Sequence, residues 1–236
     1  MMEDKNYVFY PVKNKEGVVI NTDNDFELAL VLKKKQENRP NVLKMIDRII
    51  SEKQKCFREP IKEKSVCLVG HSQFDQWNVD NLAGYKVRNC GVSGISSFEY
   101  NEKILKPALL NCEADCFLIM HGTNDIVWDY SINEMIESIC KTIEYIKARN
   151  CIAPIIFVSC IHVNGRLDRS NARIDKLNEN LKKVLEDKVT WIDTSFMDDQ
   201  YGELKEEYTK DGLHLSDEGY RALRNEIELK MKGLGL

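Results

Sequence analysis

The segment Val66-Cys67-Leu68-Val69-Gly70-His71-Ser72 runs from four apolar residues directly into a glycine and two polar side chains. An apolar run without polar alternation is typical of a β-strand that is covered on both faces. Comparable runs recur along the chain that follows. We therefore predict five strands, at residues 66–69, 85–89, 116–120, 155–159 and 189–192.

Longer amphipathic segments lie between these strands. In residues 132–149, isoleucines recur at intervals of three or four and form one apolar stripe on an otherwise charged surface. The pattern predicts helices at residues 97–110, 132–149, 171–186 and 216–232. Because strands and helices alternate, we expect an α/β fold with a five-stranded parallel sheet and helices on both faces.

The first part of the chain follows a different pattern. It predicts a hairpin, at residues 7–12 and 18–21, and two helices, at residues 26–35 and 41–56. Pro40 is expected near the start of the second helix. With 236 residues, the chain is long enough for one sizeable core but short for two. We therefore expect an N-terminal extension at residues 1–64 and one domain at residues 65–236.

The composition argues against several classes of partner. The formal net charge is −4, so the chain lacks the basic excess typical of nucleic-acid binding or of electrostatic attachment to membranes. No secretory signal begins the chain, and no apolar run reaches membrane-spanning length. The eight cysteines lack zinc-ligand spacing and are expected to be reduced thiols. We expect a cytoplasmic protein whose partner is a small molecule.

Polar side chains follow the predicted strands at the carboxyl edge, where ligands bind in open parallel sheets. Ser72 comes directly after the first strand, and Gly70 allows a tight turn there. The Ser72 hydroxyl is a candidate nucleophile, with a helix N-cap as its alternative role. After the third predicted strand, Asn124 is a candidate amide donor to an oxyanion, or an ordinary turn residue.

An acid and a histidine lie close together near the C-terminus. Asp211 and His214 are separated by one turn, in Asp211-Gly212-Leu213-His214. The carboxylate can orient one imidazole nitrogen and leave the other to take a proton from Ser72. The alternative is an Asp-Gly turn before a helix capped by Ser216, with an incidental histidine.

These segments resemble the four sequence blocks of the SGNH superfamily of hydrolases and acyltransferases, also called GDSL-type. The residues that match the blocks are Ser72, Gly94, Asn124 and His214, with Asp211 as the acid before the histidine. The resemblance covers about residues 65–232. It implies a flavodoxin-like three-layer α/β/α sandwich, and ester chemistry that needs no metal and no cofactor. It also implies an oxyanion held by the Ser72 and Gly94 backbone N–H groups and the Asn124 amide.

One residue departs from the family's first block, which usually has aspartate where this chain has His71. Neighbouring side chains of an extended segment point to opposite sides, so we expect His71 to modify local hydrogen bonding rather than act as the base. A metal site built from the four histidines is a less favoured alternative, since no pair has ligand spacing. We expect His162 and Trp128 to contact the substrate.

The sequence therefore predicts a serine-dependent esterase acting on short-chain, acetyl-like esters of a polar alcohol, with an O-acylated carbohydrate as one candidate substrate. The loops expected around the site are short or polar, which favours small acyl groups.

Three alternatives remain open. An acyltransferase would use the same site. The α/β-hydrolase fold also places Gly-x-Ser after a strand, although Phe74 stands where its motif has glycine. A catalytically silent carbohydrate-binding or scaffold module would keep the fold alone.

Overall fold

The computed structural model describes residues 22–128 and 130–236. The hairpin predicted at residues 7–12 and 18–21 lies outside the described residues. In the part of the chain that is described, no helix is both long and apolar enough to cross a membrane.

The chain divides into two compact units, residues 1–44 and 45–236. The second unit contains the whole sheet and all of the predicted site residues. It also contains residues 45–64, which the sequence analysis assigned to the N-terminal extension. These residues therefore belong to the same unit as the sheet.

A six-stranded sheet forms the centre of the second unit. Its strands are β1 (Ser65–Gly70), β2 (Asn81–Leu82), β3 (Tyr85–Gly91), β4 (Cys116–Met120), β5 (Ile155–Val158) and β6 (Thr190–Ile192). Their order is β2-β3-β1-β4-β5-β6, and every neighbouring pair is parallel except β2 with β3. The predicted α/β class is confirmed, and each of the five predicted strands is present.

The sixth strand, β2, was not predicted. It contains only two residues, too few for a hydrophobic period to appear. Ala83 and Gly84 connect it to β3 with positive φ angles of 48° and 86°, as the favoured two-residue hairpin turn requires. Alanine rarely occupies such a position. The turn therefore lacks the Asn-Gly or Asp-Gly pair that would have marked a hairpin in the sequence.

Two helices precede the sheet, one follows it, and the others lie between its strands. They are α1 (Asp23–Glu52), α2 (Gln54–Arg58), α3 (Ser72–Asp75), α4 (Ser97–Tyr100), α5 (Thr123–Val127), α6 (Ile132–Arg149), α7 (Asn171–Leu185) and α8 (Asp217–Gly233). The last three match the predicted helices closely. The helix predicted at residues 97–110 is shorter, since α4 passes into a π-helical turn at Asn101–Leu105.

One helix replaces the two that were predicted before the sheet. We expected a helix at residues 26–35 and another beginning near Pro40, but α1 continues through Pro40. A proline inside a helix removes one backbone hydrogen bond, a cost that neighbouring residues can offset. The residues around Pro40 include lysine, glutamine, glutamate and leucine, which are good helix formers. The proline therefore did not mark a helix start.

Apolar side chains cover both faces of the sheet. All six residues of β1 and all five of β4 are buried, as their unbroken apolar runs predict. One apolar cluster joins Leu68 of β1 to Leu223 and Ile227 of α8. Side chains alternate between faces along a strand, so the buried Cys67 faces the opposite helical layer.

Arg88 of β3 is a charged residue inside this core and is only 2% exposed. Its Nη1 donates to the carbonyls of Cys56 and Phe57, at 3.5 and 3.4 Å. Its Nη2 donates to the carbonyls of Asn111 and Glu113, at 2.8 and 3.3 Å. Arg88 therefore links α2 and the segment before β4 to the sheet.

Replacing Arg88 with methionine should lower the free energy of unfolding by about 3 kcal/mol, because buried carbonyl oxygens lose their donors. Urea denaturation followed by circular dichroism measures the change. Arg221→Met, on the exposed surface of α8, is the control and should change stability by less than about 0.5 kcal/mol. Similar effects of the two substitutions would contradict the structural role of Arg88.

Candidate active site

The segment with the candidate nucleophile leaves the sheet at the carboxyl end of β1. A Cβ added to Gly70 would lie 2.2 Å from the carbonyl oxygen of Met120 in the neighbouring strand, so the close approach of the two strands requires glycine. Ser72 then opens the short helix α3 and is 7% exposed. This position is the edge at which open parallel sheets bind ligands.

His71 caps α3. Its Nδ1 accepts a hydrogen bond from the backbone N–H of Gln73 at 3.4 Å, a role that a side-chain oxygen plays in an aspartate cap. Burial and the nearby His121 and Arg169 lower the pKa of His71 well below its ordinary value. The imidazole is therefore neutral at pH 7 and serves local hydrogen bonding.

Asp211 holds His214 through its carboxylate. Asp211 Oδ2 lies 2.8 Å from His214 Nδ1, and Asp211 Oδ1 accepts the backbone N–H groups of Leu213 and His214 at 3.0 and 2.8 Å. Partial burial raises the pKa of Asp211, but the hydrogen bonds from His214 and Leu213 outweigh it and lower the pKa to about 2. The carboxylate is therefore ionised at neutral pH and orients the imidazole.

The loop after β5 packs on the turn that contains this pair. Gly212 has a φ of +79°, and a Cβ there would lie 2.0 Å from the Asn164 carbonyl oxygen. The Asn164 N–H donates to the Gly212 carbonyl at 2.8 Å. Arg166 Nη1 donates to the Asp211 carbonyl at 3.5 Å. A side chain at position 212 would therefore displace the loop that supports the acid.

Two hydrogen bonds join the serine segment to the histidine segment. Gln73, next to Ser72, donates from Nε2 to the carbonyl of Leu213 at 2.7 Å. Tyr220 of α8 donates from its hydroxyl to the carbonyl of Gln73 at 2.8 Å. Because Leu213 precedes His214, these bonds bring the candidate nucleophile and the candidate base to the same corner of the fold.

Asn124 lies in α5, just after the carboxyl end of β4. Its Nδ2 donates to the carbonyl of Ile95 at 3.0 Å, and its Oδ1 accepts a hydrogen bond from Arg169 Nη2 at 3.1 Å. Ile95 directly follows Gly94, the other candidate oxyanion donor. The Asn124 amide is therefore tied to the loop that carries Gly94.

Two carboxylates, the buried Asp125 and the partly buried Asp75, anchor the segment from Ser93 to Ser97 that contains Gly94. Asp125 accepts hydrogen bonds from the Ser97 N–H at 3.0 Å and from the Ser97 hydroxyl. Burial raises the pKa of Asp125 to about 6, against the opposing effect of the Ser97 hydrogen bonds. Asp75 of α3 accepts the Ser93 N–H at 2.9 Å and also the Ser93 hydroxyl. The loop is thus anchored to both α5 and α3.

The two residues expected to contact substrate lie in different surroundings. His162 Nε2 is 3.0 Å from Asp175 Oδ1, and its Nδ1 is 3.0 Å from Asp198 Oδ2. The Asp198 hydrogen bond raises the pKa of His162 despite partial burial. His162 lines a cavity of about 250 Å³ whose lining does not include the candidate nucleophile or base. Trp128 follows α5 and is half-buried. Substrate contact by either residue stays a prediction.

The four histidines do not share one environment. His121 is buried beside Tyr100, with ring centroids 5.1 Å apart, and burial lowers its pKa to about 3. His162 faces two aspartates and His214 faces one. Within residues 22–128 and 130–236, no three histidine, cysteine, aspartate or glutamate side chains form a group suited to a metal ion.

Sequence reasoning did not identify Gln73, Tyr220 or Arg169 as parts of the site. Gln73 and Tyr220 are 147 residues apart, and nothing local in the sequence indicates that they meet. The one signal for Arg169 is its place in the polar loop that follows β5, at the carboxyl edge of the sheet. That signal does not specify which group the guanidinium contacts.

The assembled groups suit nucleophilic attack on a carbonyl carbon. A hydroxyl lies at the start of a short helix, and the next residue of that helix is hydrogen-bonded to the turn in which a carboxylate orients an imidazole. The buried Asn124 amide is bonded to the loop that contains Gly94, so these two candidate hydrogen-bond donors lie close together. Such a set of groups can form an acyl-enzyme and stabilise the oxyanion that precedes it.

Sequence comparisons relate the chain to known proteins. Residues 69–222 match the sequence model of the GDSL-like Lipase/Acylhydrolase family. The chain is also 35% identical over 221 residues to the N-acylneuraminate cytidylyltransferase of Escherichia coli O18:K1:H7, strain RS218. That match covers 92% of this chain and 52% of the relative. The chain therefore spans about half the length of this curated relative.

Solved structures share the fold. A Streptococcus pneumonia protein described as a platelet activating factor has a TM-score of 0.74 and 26% identity, over 83% of this chain and 97% of that one. A GDSL-like lipase from Bacteroides thetaiotaomicron VPI-5482 has a TM-score of 0.62 and 22% identity, over 79% of this chain and 97% of that one. At such identity, the second match shows the fold alone.

Ser72 should react with an alkyl phosphonate ester, because we expect the oriented imidazole of His214 to activate its hydroxyl as a nucleophile. Intact-mass spectrometry should show one phosphonyl group added per chain, and Ser72→Ala should abolish the adduct. Ser131→Ala removes another serine at a helix start, the N-cap of α6, and should label normally. An adduct that persists in Ser72→Ala would contradict the assignment of the nucleophile.

Proposed function

Since the chain belongs to the GDSL-like lipase/acylhydrolase family, we propose that it is a serine-dependent hydrolase of carboxylic esters. The observation that carries the proposal is the hydrogen bond from Gln73 Nε2 to the Leu213 carbonyl, at 2.7 Å. It joins the turn that contains the candidate nucleophile to the turn that contains the candidate base. Without this bond, the turn that contains Ser72 would lose its direct hydrogen bond to the turn that contains His214.

In the proposed reaction, Ser72 Oγ attacks the ester carbonyl carbon, and the alcohol leaves as an acyl-enzyme forms. His214 takes the serine proton and passes it to the leaving alcohol. Asp211 occupies His214 Nδ1, so Nε2 is the nitrogen left for proton transfer. Water then attacks the acyl-enzyme and gives a proton to the same imidazole, which passes it to Ser72 Oγ as the bond between Oγ and the acyl carbon breaks and the carboxylic acid leaves.

Three donors are proposed to bind the developing oxyanion: the Ser72 and Gly94 backbone N–H groups and the Asn124 side-chain amide. An amide nitrogen carries two hydrogens, and the bond to the Ile95 carbonyl uses only one of them. The carboxylates that anchor the Gly94 loop hold these donors before substrate arrives. Donors fixed in advance stabilise transition-state charge without reorganising.

We propose that the acyl group is short, with acetyl preferred. The loop that packs on the Asp211 turn carries Arg166, Asp168 and Arg169. Arg166 Nε lies 3.1 Å from Asp168 Oδ1, and Arg169 also pairs with Asp168. These charges make the loop beside the Asp211 turn polar, although Leu167 of the same loop is exposed, so the loop gives a longer acyl chain limited apolar surface. Each methylene gains about 0.8 kcal/mol only where such surface exists.

The proposed alcohol is a carbohydrate hydroxyl. The curated relative is named for N-acylneuraminate, a carboxylated amino sugar. Arg166 contacts the Asp211 turn, and its side chain is 33% exposed. Arg166 and Arg169 share the one carboxylate of Asp168, so we propose that the excess positive charge of this group attracts a substrate carboxylate. We therefore propose an O-acetylated N-acylneuraminate as the substrate class.

A catalytically silent module was considered because His71 replaces the aspartate of the family's first block. His71 Nδ1 still accepts the Gln73 N–H, so the turn before α3 keeps its cap. The replacement of aspartate by His71 therefore does not disrupt the turn that carries Ser72. An acyltransferase would share every group named above and differ only in the acceptor that attacks the acyl-enzyme.

Asn124→Ala should lower kcat by roughly a hundredfold, with a smaller change in KM, because the lost N–H acts mainly in the transition state. Hydrolysis of 4-nitrophenyl acetate measures both constants. Asn180→Ala is the control, since Asn180 Nδ2 bonds only within α7, to the Lys176 carbonyl. A change confined to KM would make Asn124 a substrate-binding residue instead.

Catalytic efficiency should fall as the acyl chain lengthens. The measurement is kcat/KM for 4-nitrophenyl acetate, butyrate, octanoate and palmitate. A lipase-like groove would reward each added methylene, so a maximum at octanoate or beyond would disprove the acetyl preference. Such a result would leave the serine mechanism intact.

The sugar proposal predicts faster acetate release from an O-acetylated N-acylneuraminate than from an acetylated neutral hexose. Arg166→Gln should raise KM for the acidic sugar several-fold, because it removes the cation offered to the carboxylate. The same substitution should leave KM for the neutral ester nearly unchanged. Equal effects on the two substrates would contradict recognition of the carboxylate by Arg166.

A further inference from the structure

Arg169 is a buried cation beside the proposed oxyanion site, and the mechanism above gives it no role. It is only 8% exposed. A buried charge is costly unless its hydrogen-bonding groups are satisfied. Here the guanidinium bonds to Asp168, to the carbonyl of Thr123 at 3.3 Å, and to Asn124 Oδ1 at 3.1 Å. Two of the three contacts fall on consecutive residues of the turn after β4.

We propose that Arg169 is a positioning residue that fixes the orientation of the Asn124 amide, so that its second N–H is presented to the oxyanion. This inference rests on the proposed hydrolase function. Arg169 lies outside the four sequence blocks of the family, whereas the Asn124 amide that it holds belongs to one of them.

The contacts of the amide leave it one orientation. Asn124 Oδ1 faces a guanidinium N–H, and Nδ2 faces the carbonyl oxygen of Ile95 at 3.0 Å. Rotating the amide by half a turn would set the NH₂ group against the guanidinium donors and the amide oxygen against the Ile95 oxygen. Both contacts would then be repulsive. In the observed orientation, one N–H bonds to Ile95 and the other remains for substrate.

The chemistry of this position favours arginine. A planar guanidinium donates in several fixed directions at once, so one side chain can hold the Thr123 backbone and the Asn124 side chain together. A lysine ammonium lacks this fork. Burial lowers the pKa of Arg169 to about 10, and the group therefore stays cationic at neutral pH. A cation at Oδ1 also draws electron density from the amide and strengthens its remaining N–H as a donor.

Asp168 makes the buried cation tolerable. Its carboxylate pairs with Arg169 and also with Arg166, whose Nε lies 3.1 Å from Asp168 Oδ1. If Arg169 is replaced by a neutral side chain, Asp168 keeps Arg166 as a partner. Substitution of Arg169 therefore need not leave an unpaired carboxylate in the core, and the variant is suitable for kinetic study.

A double-mutant cycle tests the proposal. Arg169→Met is made in the wild-type chain and in Asn124→Ala, and hydrolysis of 4-nitrophenyl acetate gives kcat and KM for all four proteins. In the wild-type chain, Arg169→Met should lower kcat roughly tenfold with little change in KM, as expected for coupled residues. In the Asn124→Ala chain, the same substitution should change kcat less than about twofold, because the amide that Arg169 orients is gone.

An equal loss of kcat in both backgrounds would overturn the proposal, since a general structural effect does not depend on the Asn124 amide. If Arg169→Met does not fold, Arg169→Lys enters the same cycle, because it keeps the positive charge beside Asp168 but loses the forked geometry of the guanidinium.

The proposed function and this inference would fail in different experiments. Absence of Ser72-dependent turnover in the wild-type chain overturns the proposed function and this inference together. Normal turnover with an additive cycle overturns this inference alone.

Discussion

In the parallel sheet, Gly70 at the end of β1 lies beside Gly91 of β3 and Met120 of β4. Three adjacent strands therefore end at one level, and the segments that follow them begin at the same edge. The candidate residues Ser72 and Asn124 lie on two of these segments, and Gly94 lies on the third. Parallel strands always deliver their carboxyl ends to a common edge, so this register is the constraint on which the site depends.

Buried and partly buried charged groups hold the loops at this edge together, in addition to apolar packing by residues such as Val92 and Ile95. Asp75 binds the loop after β3 from α3, and Asp125 binds it from α5. Arg169 in turn binds the α5 turn from the loop after β5. Each bond crosses from one loop to the next. Because a buried polar group without a partner is costly, each loop is stable only when its neighbours are in place.

Local sequence patterns account for most of the secondary structure. The five apolar runs and the helix at Ile132–Arg149 follow from hydrophobic periodicity, which needs only neighbouring residues. The same local rules were wrong at Pro40, where α1 continues without a break. They also did not predict β2, because a strand of two residues is too short to show a hydrophobic repeat. His71 shows that an unusual residue can keep a common role, since its Nδ1 caps α3 as an aspartate oxygen would.

The sequence by itself determined the α/β class, the strands that lead to the candidate site residues, and the meeting of an acid with a histidine three residues away. Those features depend on residues within a few positions of one another. Only the tertiary structure decided that Gln73 bonds to Leu213, 140 residues away, and that Arg169 bonds to Asn124, 45 residues away. Such partners meet only after the parallel strands have aligned and their loops have packed at one edge, and no local pattern in the chain encodes that alignment.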